Sequence, residues 1–394
     1  MNTLSLDITA PRHQLSTVTS SMNIKIAAEQ YSVNRYHGLD ALRGIAMVLG
    51  IVLHASLPYF DTMGFWPSNG TDSRVIWALF EFIHLWRMPL FFILSGFFAA
   101  LVIRRHSWRG FNKNRMRRVL MPFAIFVPLI ALSMPWIWNY GYKGTFAGQV
   151  HTFEYVNPWH LWFLIHLLLF LFFMAILRMI RWLSVTLIGS TRVNNVWRNL
   201  VDLALKAFFA RTPITLVTLL IFLLITDTDL IGNPLATFTY FSFGYGLYQR
   251  QSLIDFMKKY WFVYFVVGST GYGLYLWTTR QLVDKGENEG LGLLYVALNV
   301  VCAVVFSLGL IGIAESRIIK PNQAWRWLAD SSYWVYLVHL PIVTICTFAM
   351  FSFSIPPELK FITAIGTTTL VSLITYKFFV RRTIVGVLLN GRRL

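Results

Sequence analysis

The stretch LDALRGIAMVLGIVLH, residues 39–54, is apolar enough to sit in lipid, yet it carries Arg43 near one end and His54 at the other. Ionisable side chains within a membrane helix cost roughly 2.5–3.5 kcal/mol each on insertion scales, so both need a reason to be there. In a helix the two residues stand ~16 Å apart along the axis, and at ~100° per residue they fall within ~20° of one face. Met47 and Gly50 lie on the same stripe. The glycine leaves a gap against a neighbouring helix, which predicts a thin slot between the arginine and the histidine.

The rest of the chain supports the membrane reading. Of its 394 residues, 56% are hydrophobic and only 13% charged, too apolar a balance for a soluble protein of this length. Apolar runs of ~20 residues suit helices crossing a ~30 Å hydrocarbon core and do not match the alternating short strands of a barrel. We therefore expect an all-α, polytopic integral membrane protein with about ten transmembrane helices, at about 41–58, 77–103, 119–138, 159–177, 212–226, 235–248, 260–279, 291–314, 331–353 and 361–380. Three parts follow: a cytoplasmic, largely disordered leader at 1–38, a membrane domain at 39–382 and a basic cytoplasmic tail at 383–394.

The formal charge of +17 is concentrated in alternate loops. Arg104, Arg105, Arg109, Lys113, Arg115, Arg117 and Arg118 fall between spans two and three, and Lys377, Arg381, Arg382, Arg392 and Arg393 at the C-terminal end. Asp61, Asp72, Asp227, Asp229, Asp284, Glu287 and Glu289 occupy the loops of the other side. By the positive-inside rule both termini are cytoplasmic, and the charge is a topology signal that calls for no nucleic acid. Cys302 and Cys346 sit in apolar runs, which leaves no disulfide framework and no cysteine metal cluster. Between Arg178 and Arg211, apolar residues from Val196 to Phe208 recur at helical spacing, as in a helix lying on the inner membrane surface.

Polar residues inside the spans are the functional candidates. Span two, EFIHLWRMPLFFILSGFF, puts Glu81, His84, Met88 and Ser95 on one stripe, with Arg87 rotated off it by about one residue. Ser95-Gly96 permits close helix contact, and Pro89 frees a backbone carbonyl. Span four opens NPWHLWFLIH, with His160, Trp162 and His166; span nine, SSYWVYLVHL, carries His339. Each residue has a plainer reading: His166 and His339 as interhelical hydrogen-bond partners, His160 as an interface anchor, Arg43 as a snorkelling cation. His54, Glu81 and His84 are too short to snorkel and need partners or a water-filled cavity. A carboxylate beside imidazoles is the arrangement that orients a general base. Apart from Glu81-x-x-His84, no ligand pair has metal-binding spacing on one helix, and no metal is expected. The run Lys113 to Arg118 suits a polyphosphate at the slot's cytoplasmic mouth.

The sequence resembles the membrane acyltransferase family 3 over essentially the whole membrane region. The resemblance rests on Arg43 and His54 in span one, RMPLFFILSGFF at 87–98, the Arg115-x-x-Arg118 pair before VLMP, HLWFL at 160–164 and YLVHLP at 336–341. Within the family it looks most like the succinyltransferases of osmoregulated periplasmic glucans. Many O-acetylating relatives carry a glutamate pair shortly after the span-four tryptophan, whereas IHLLLF follows here. The resemblance implies an enzyme of the bacterial inner membrane that moves an acyl group from cytoplasmic acyl-CoA, succinyl-CoA or acetyl-CoA, to a hydroxyl of a periplasmic glycan. Membrane lipid and glucan-synthesis proteins are its further expected partners.

On that reading Arg43, Arg115 and Arg118 bind the phosphates of CoA, and the pantetheine arm runs along the Gly50 slot. His54 acts as general base or accepts the acyl group itself, His84 and Glu81 orient it, and Arg87 stabilises the thioester oxyanion or pairs with a succinyl carboxylate. Ser95, Trp162, His160 and His339 are candidates along the substrate path. The competing classes are a proton-coupled transporter of an anionic substrate and a non-catalytic partner of a glycan synthase.

Overall fold

The computed structural model describes residues 36–60, 64–147, 158–209, 212–226, 232–285, 288–320 and 322–390. The expected leader up to residue 35, and Asp61, Asp227, Asp229, Glu287, Arg211, Arg392 and Arg393, lie outside these. The described residues from Gly38 onward form one compact unit. Among the described residues every regular element is helical. In chain order they are α1 (His37–Ser56), α2 (Arg74–Arg115), α3 (Met121–Lys143), α4 (Trp162–Ile188), α5 (Ser190–Phe209), α6 (Thr212–Thr226), α7 (Pro234–Gln249), α8 (Gln251–Lys285), α9 (Glu289–Arg317), α10 (Gln323–Ala349), α11 (Pro357–Thr375) and α12 (Ile384–Asn390). Short 3₁₀ turns follow α1 and precede α4, and π turns precede α3 and follow α11.

Each of the ten expected spans overlaps a helix of its own; the first, ninth and tenth run two, four and five residues past the ends of α1, α10 and α11, and the third and fourth start two and three residues before α3 and α4. Among the described residues seven helical runs are long and apolar enough to cross a membrane, and Ile214–Thr226 in α6 is a shorter apolar helix. The remaining two ranges fall on α7, with 16 residues, and α8, whose apolar stretch is diluted by Tyr, Trp and Gly. Large apolar side chains such as Leu132, Phe172, Leu187 and Ile225 are exposed on the outside of the bundle, where a bilayer supplies the apolar surroundings that water does not.

The basic segment 104–118, expected as a loop, is instead helical. α2 runs on to Arg115 with one break, at Ser107 (φ 63°, ψ 173°), and then passes through the π turn into α3. Arg and Lys are good helix formers, so a charge run marks the membrane boundary without ending the helix. The helix expected between Arg178 and Arg211 is α5; its Val196, Leu200 and Leu203 are exposed.

Local sequence explains where several helices begin. Asn233, Asn288 and Asn322 each cap a helix by accepting backbone N–H bonds, at α7, α9 and α10 respectively. Ser73 caps α2 and donates its hydroxyl proton to Glu358 at 2.6 Å, tying the starts of α2 and α11 together. Inside α2 the helical dihedrals continue through Pro89.

Glycines set the closest helix crossings. A Cβ at Gly96 would stand 1.9 Å from the Phe241 carbonyl oxygen, and one at Gly244 would stand 1.8 Å from that of Ile93. The two glycines thus face each other's helices, and α2 and α7 meet backbone to backbone, as small residues allow in lipid. α9 lies along α8 in the same way, with Gly312 against the Met257 carbonyl and Gly268 against Phe306.

Candidate active site

α1 and α10 lie side by side, with Gly44 against Leu328 and Ala329 and Gly50 against His339. One turn beyond Gly50, His54 enters a cavity of about 460 Å³. α2 contributes His84, Arg87 and Met88 to it, the turn before α4 contributes His160, α4 contributes Trp162, and α10 contributes Tyr336 and His339. Three imidazoles converge there: the ring centroids are 5.3 Å apart for His54 and His339, 4.8 Å for His160 and His339, and 6.3 Å for His54 and His160. Trp66 stacks on His54 at 6.1 Å, and Trp138 packs between Trp66 and Trp159.

Backbone carbonyls fix two of the three tautomers. His339 Nδ1 lies 2.8 Å from the Tyr336 oxygen and 3.1 Å from that of Val335. A carbonyl only accepts, so Nδ1 carries the proton and Nε2 presents a lone pair. His160 Nε2 donates to the same Tyr336 oxygen at 2.9 Å, and the Tyr336 hydroxyl donates back to the His160 carbonyl at 2.9 Å. Its Nδ1 therefore holds the lone pair. Both lone-pair nitrogens are buried without a hydrogen-bond partner, as is His54 Nδ1. Nothing comparable sets the tautomer of His54.

Arg87 is buried beside them. Its Nη1 lies 2.7 Å from the point a Cβ on Gly50 would occupy, and His339 Nε2 lies 3.2 Å from the same point. The gap opened by Gly50 is therefore filled by the guanidinium and the imidazole, not by an empty slot. Arg87 Nε has no hydrogen-bond partner, and the ion pairs among the described residues do not include this arginine. A buried cation without a carboxylate favours an anion, or an oxygen gaining negative charge.

The other expected residues divide. His84 lines the cavity and stacks on Phe80 at 5.1 Å. Glu81 does not join it: its carboxylate accepts from the Tyr275 hydroxyl at 2.9 Å, on a different side of α2. Residues three apart on a helix point ~60° from each other, enough to send one into the cavity and the other toward α8. Glu81 therefore does not orient the base. Ser95 also lies outside the cavity lining, next to the Gly96 crossing. His166 accepts its plainer reading, with Nδ1 2.9 Å from the Thr237 hydroxyl.

Arg43 also lies outside the cavity, paired with Asp40 at 3.5 Å and placed over Phe98. Arg115 lies over Phe111, and the charges of Arg118 and Arg43 act on it, so the three arginines form a group. Between that group and the histidines stand Tyr333 and Tyr336, stacked at 6.3 Å, with the Tyr333 hydroxyl donating to the Arg118 carbonyl. The slot expected from Arg43 to His54 is thus not one lined cavity: Arg43, Arg115 and Arg118 are not among its lining residues, and the tyrosine pair lies between them and the histidines. The sequence reading missed Tyr295 and Asn299 on the cavity wall. Their signal was a polar pair at i, i+4 inside the apolar run LGLLYVALNVV. Among the described residues no group of three or more His, Cys, Asp or Glu is arranged to hold a metal ion.

Bare imidazole nitrogens beside an unpaired buried guanidinium, enclosed by apolar helices, make a site for moving protons while an oxygen gains charge. The helices and the family match define a membrane acyltransferase. The chain belongs to acyltransferase family 3, whose acyltransferase domain matches residues 36–377. It is 32% identical over 139 residues to Glucans biosynthesis protein C of Escherichia coli K12, covering 33% of this chain and 36% of the relative. Glucans biosynthesis protein C of Shigella dysenteriae serotype 1 matches with the same identity and coverage. The match spans about a third of these relatives' length. No solved structure matches significantly.

The Gly50 geometry yields a test. Gly50→Ala is expected to push Arg87 and His339 off their positions and lower acyl transfer by on the order of 10²-fold, the scale of a 1 Å misplacement. The check is transfer rate per milligram of purified variant; an unchanged rate would show that neither side chain needs its present position.

Proposed function

We propose that this protein is a transmembrane O-acyltransferase of the bacterial inner membrane. It moves a succinyl or acetyl group from cytoplasmic acyl-CoA to a hydroxyl of an envelope glycan, of the osmoregulated periplasmic glucan kind. The observation that carries the reading is the cavity in which His54 Nδ1 and Arg87 Nε lie buried without hydrogen-bond partners, the arginine outside every ion pair among the described residues. The name of the relatives, glucans biosynthesis protein C, supports the choice of acceptor.

In this reading the glycan hydroxyl meets His54, which takes its proton as the oxygen attacks the thioester carbon. Arg87 faces the oxygen of the tetrahedral intermediate, or pairs with the free carboxylate of a succinyl group. The first role serves any acyl group; the second selects succinyl. Trp162, on the cavity wall, supplies aromatic surface for a sugar ring. Arg43, Arg115 and Arg118 hold the CoA phosphates, and the Tyr333–Tyr336 pair is the barrier that the pantetheine arm passes.

Purified protein in detergent tests the class. A transferase releases CoA thiol and forms glucan ester without a sealed compartment; a transporter does neither. Replacing Arg43, Arg115 or Arg118 with Ala is expected to raise the KM for acyl-CoA by about tenfold per lost charged contact, leaving the glucan KM little changed. A change confined to the glucan KM would put the donor elsewhere.

A further inference from the structure

We infer that His339 is a catalytic proton carrier that delivers the acceptor hydroxyl's proton to the departing sulfur, with His54 as the base that first receives it. The inference rests on the acyl-transfer reading above and assigns a role that reading leaves empty. Ester formation from a hydroxyl and a thioester breaks O–H and C–S bonds and makes C–O and S–H bonds. One proton must therefore travel from the acceptor oxygen to the donor sulfur, and the two arrive from opposite ends of the cavity.

Three observations place His339 on that route. Its Nδ1–H is held by the Val335 and Tyr336 carbonyls, so Nε2 is its available site, and Nε2 is buried without a partner. Nε2 lies at the level of Gly50, one helical turn from His54 toward the Arg43 end of α1. The His54 and His339 rings are 5.3 Å apart between centroids, within reach of a proton passed directly or through one water. His160 also has a bare nitrogen, Nδ1, but it is not among the three atoms nearest the Gly50 gap.

Arg87 explains why the proton does not stay. Its guanidinium shares the Gly50 gap with Nε2, so a protonated His339 sits beside a fixed positive charge. A like charge at that range weakens the hold on the proton. The steps balance. His54 takes the hydroxyl proton, the oxygen bonds to the acyl carbon, and the C–S electron pair leaves on sulfur. The proton passes from His54 to Nε2 of His339 and on to the thiolate, leaving both imidazoles neutral and CoA as the free thiol.

The test varies the leaving group. His339→Asn keeps an N–H donor near the Val335 and Tyr336 carbonyls and removes Nε2. It is assayed in detergent with acyl-CoA and with the analogue in which selenium replaces the CoA sulfur, since a selenolate departs without a proton. Thioester transfer is expected to fall ~10²-fold while selenoester transfer falls far less, raising the selenoester-to-thioester rate ratio at least about tenfold. His54→Asn, the control, is expected to lose both together. Because the ratio is taken within one preparation, poor folding of the variant cancels. An unchanged ratio in His339→Asn, whether both rates fall or neither does, overturns the inference. A wild-type protein inert toward both donors defeats the acyl-transfer reading itself, and that failure appears before any variant is made.

Discussion

With asparagine in place of His54, acyl transfer is expected to fall by roughly 10²–10⁴, the range a positioned general base contributes. The size of the loss follows from what surrounds the ring. His54 lines the cavity, stacks on Trp66, and has a buried Nδ1 with no hydrogen-bond partner, so no structural bond is broken by the change. His160 and His339 are locked by the Tyr336 carbonyl, each with one usable nitrogen and no freedom to turn toward a substrate. Of the three, His54 alone can offer either nitrogen. Asparagine retains polarity and a similar reach but does not titrate. The variant should therefore purify in normal yield and bind acyl-CoA as before. A rate within twofold or so of wild type at equal protein would remove His54 from the chemistry.

The second large effect concerns the frame that carries Arg87. Gly96→Ala or Gly244→Ala is expected to cost at least the ~1–3 kcal/mol typical of overpacking, since the new methyl meets a backbone oxygen that no rotamer change can move. The consequence is a parting of α2 and α7, seen as loss of protein from the membrane fraction and a lowered melting temperature in detergent. Both substitutions push apart the same pair of helices, so the double variant should lose less than the sum of the two singles. Full additivity would mean that the two glycines act at independent contacts. Wild-type stability of either single variant would show that the helices do not meet so closely.

Much of this was readable in the chain because lipid makes sequence unusually explicit. A span must be apolar, so Arg43, His54, His84, Arg87 and His339 stand out against it, and all but Arg43 line the cavity. The Ser95-Gly96 contact was legible for the same reason, since small residues are what helices in lipid use to approach. What helical spacing does not reveal is which neighbour each face meets. Glu81 shares a stripe with His84 on a helical wheel, yet Tyr275 of α8 takes its carboxylate. Gly50 was read as a slot open to a thin substrate; the gap it leaves is occupied by Arg87 and His339, which come from helices distant in sequence. Trp66 lies in a connecting segment with no periodicity to read, and the clasp between His160 and Tyr336 joins residues 176 positions apart.

The central claim is that one bundle joins a donor on one face of the membrane to an acceptor on the other through the histidine cavity. The most direct measurement seals glucan inside proteoliposomes of the purified protein and adds acyl-CoA outside only. The account predicts free CoA thiol outside and an equal amount of acylated glucan inside, both absent with His54→Asn. Thiol release with no ester on the enclosed glucan, or esters formed only when glucan and donor share a compartment, would contradict it.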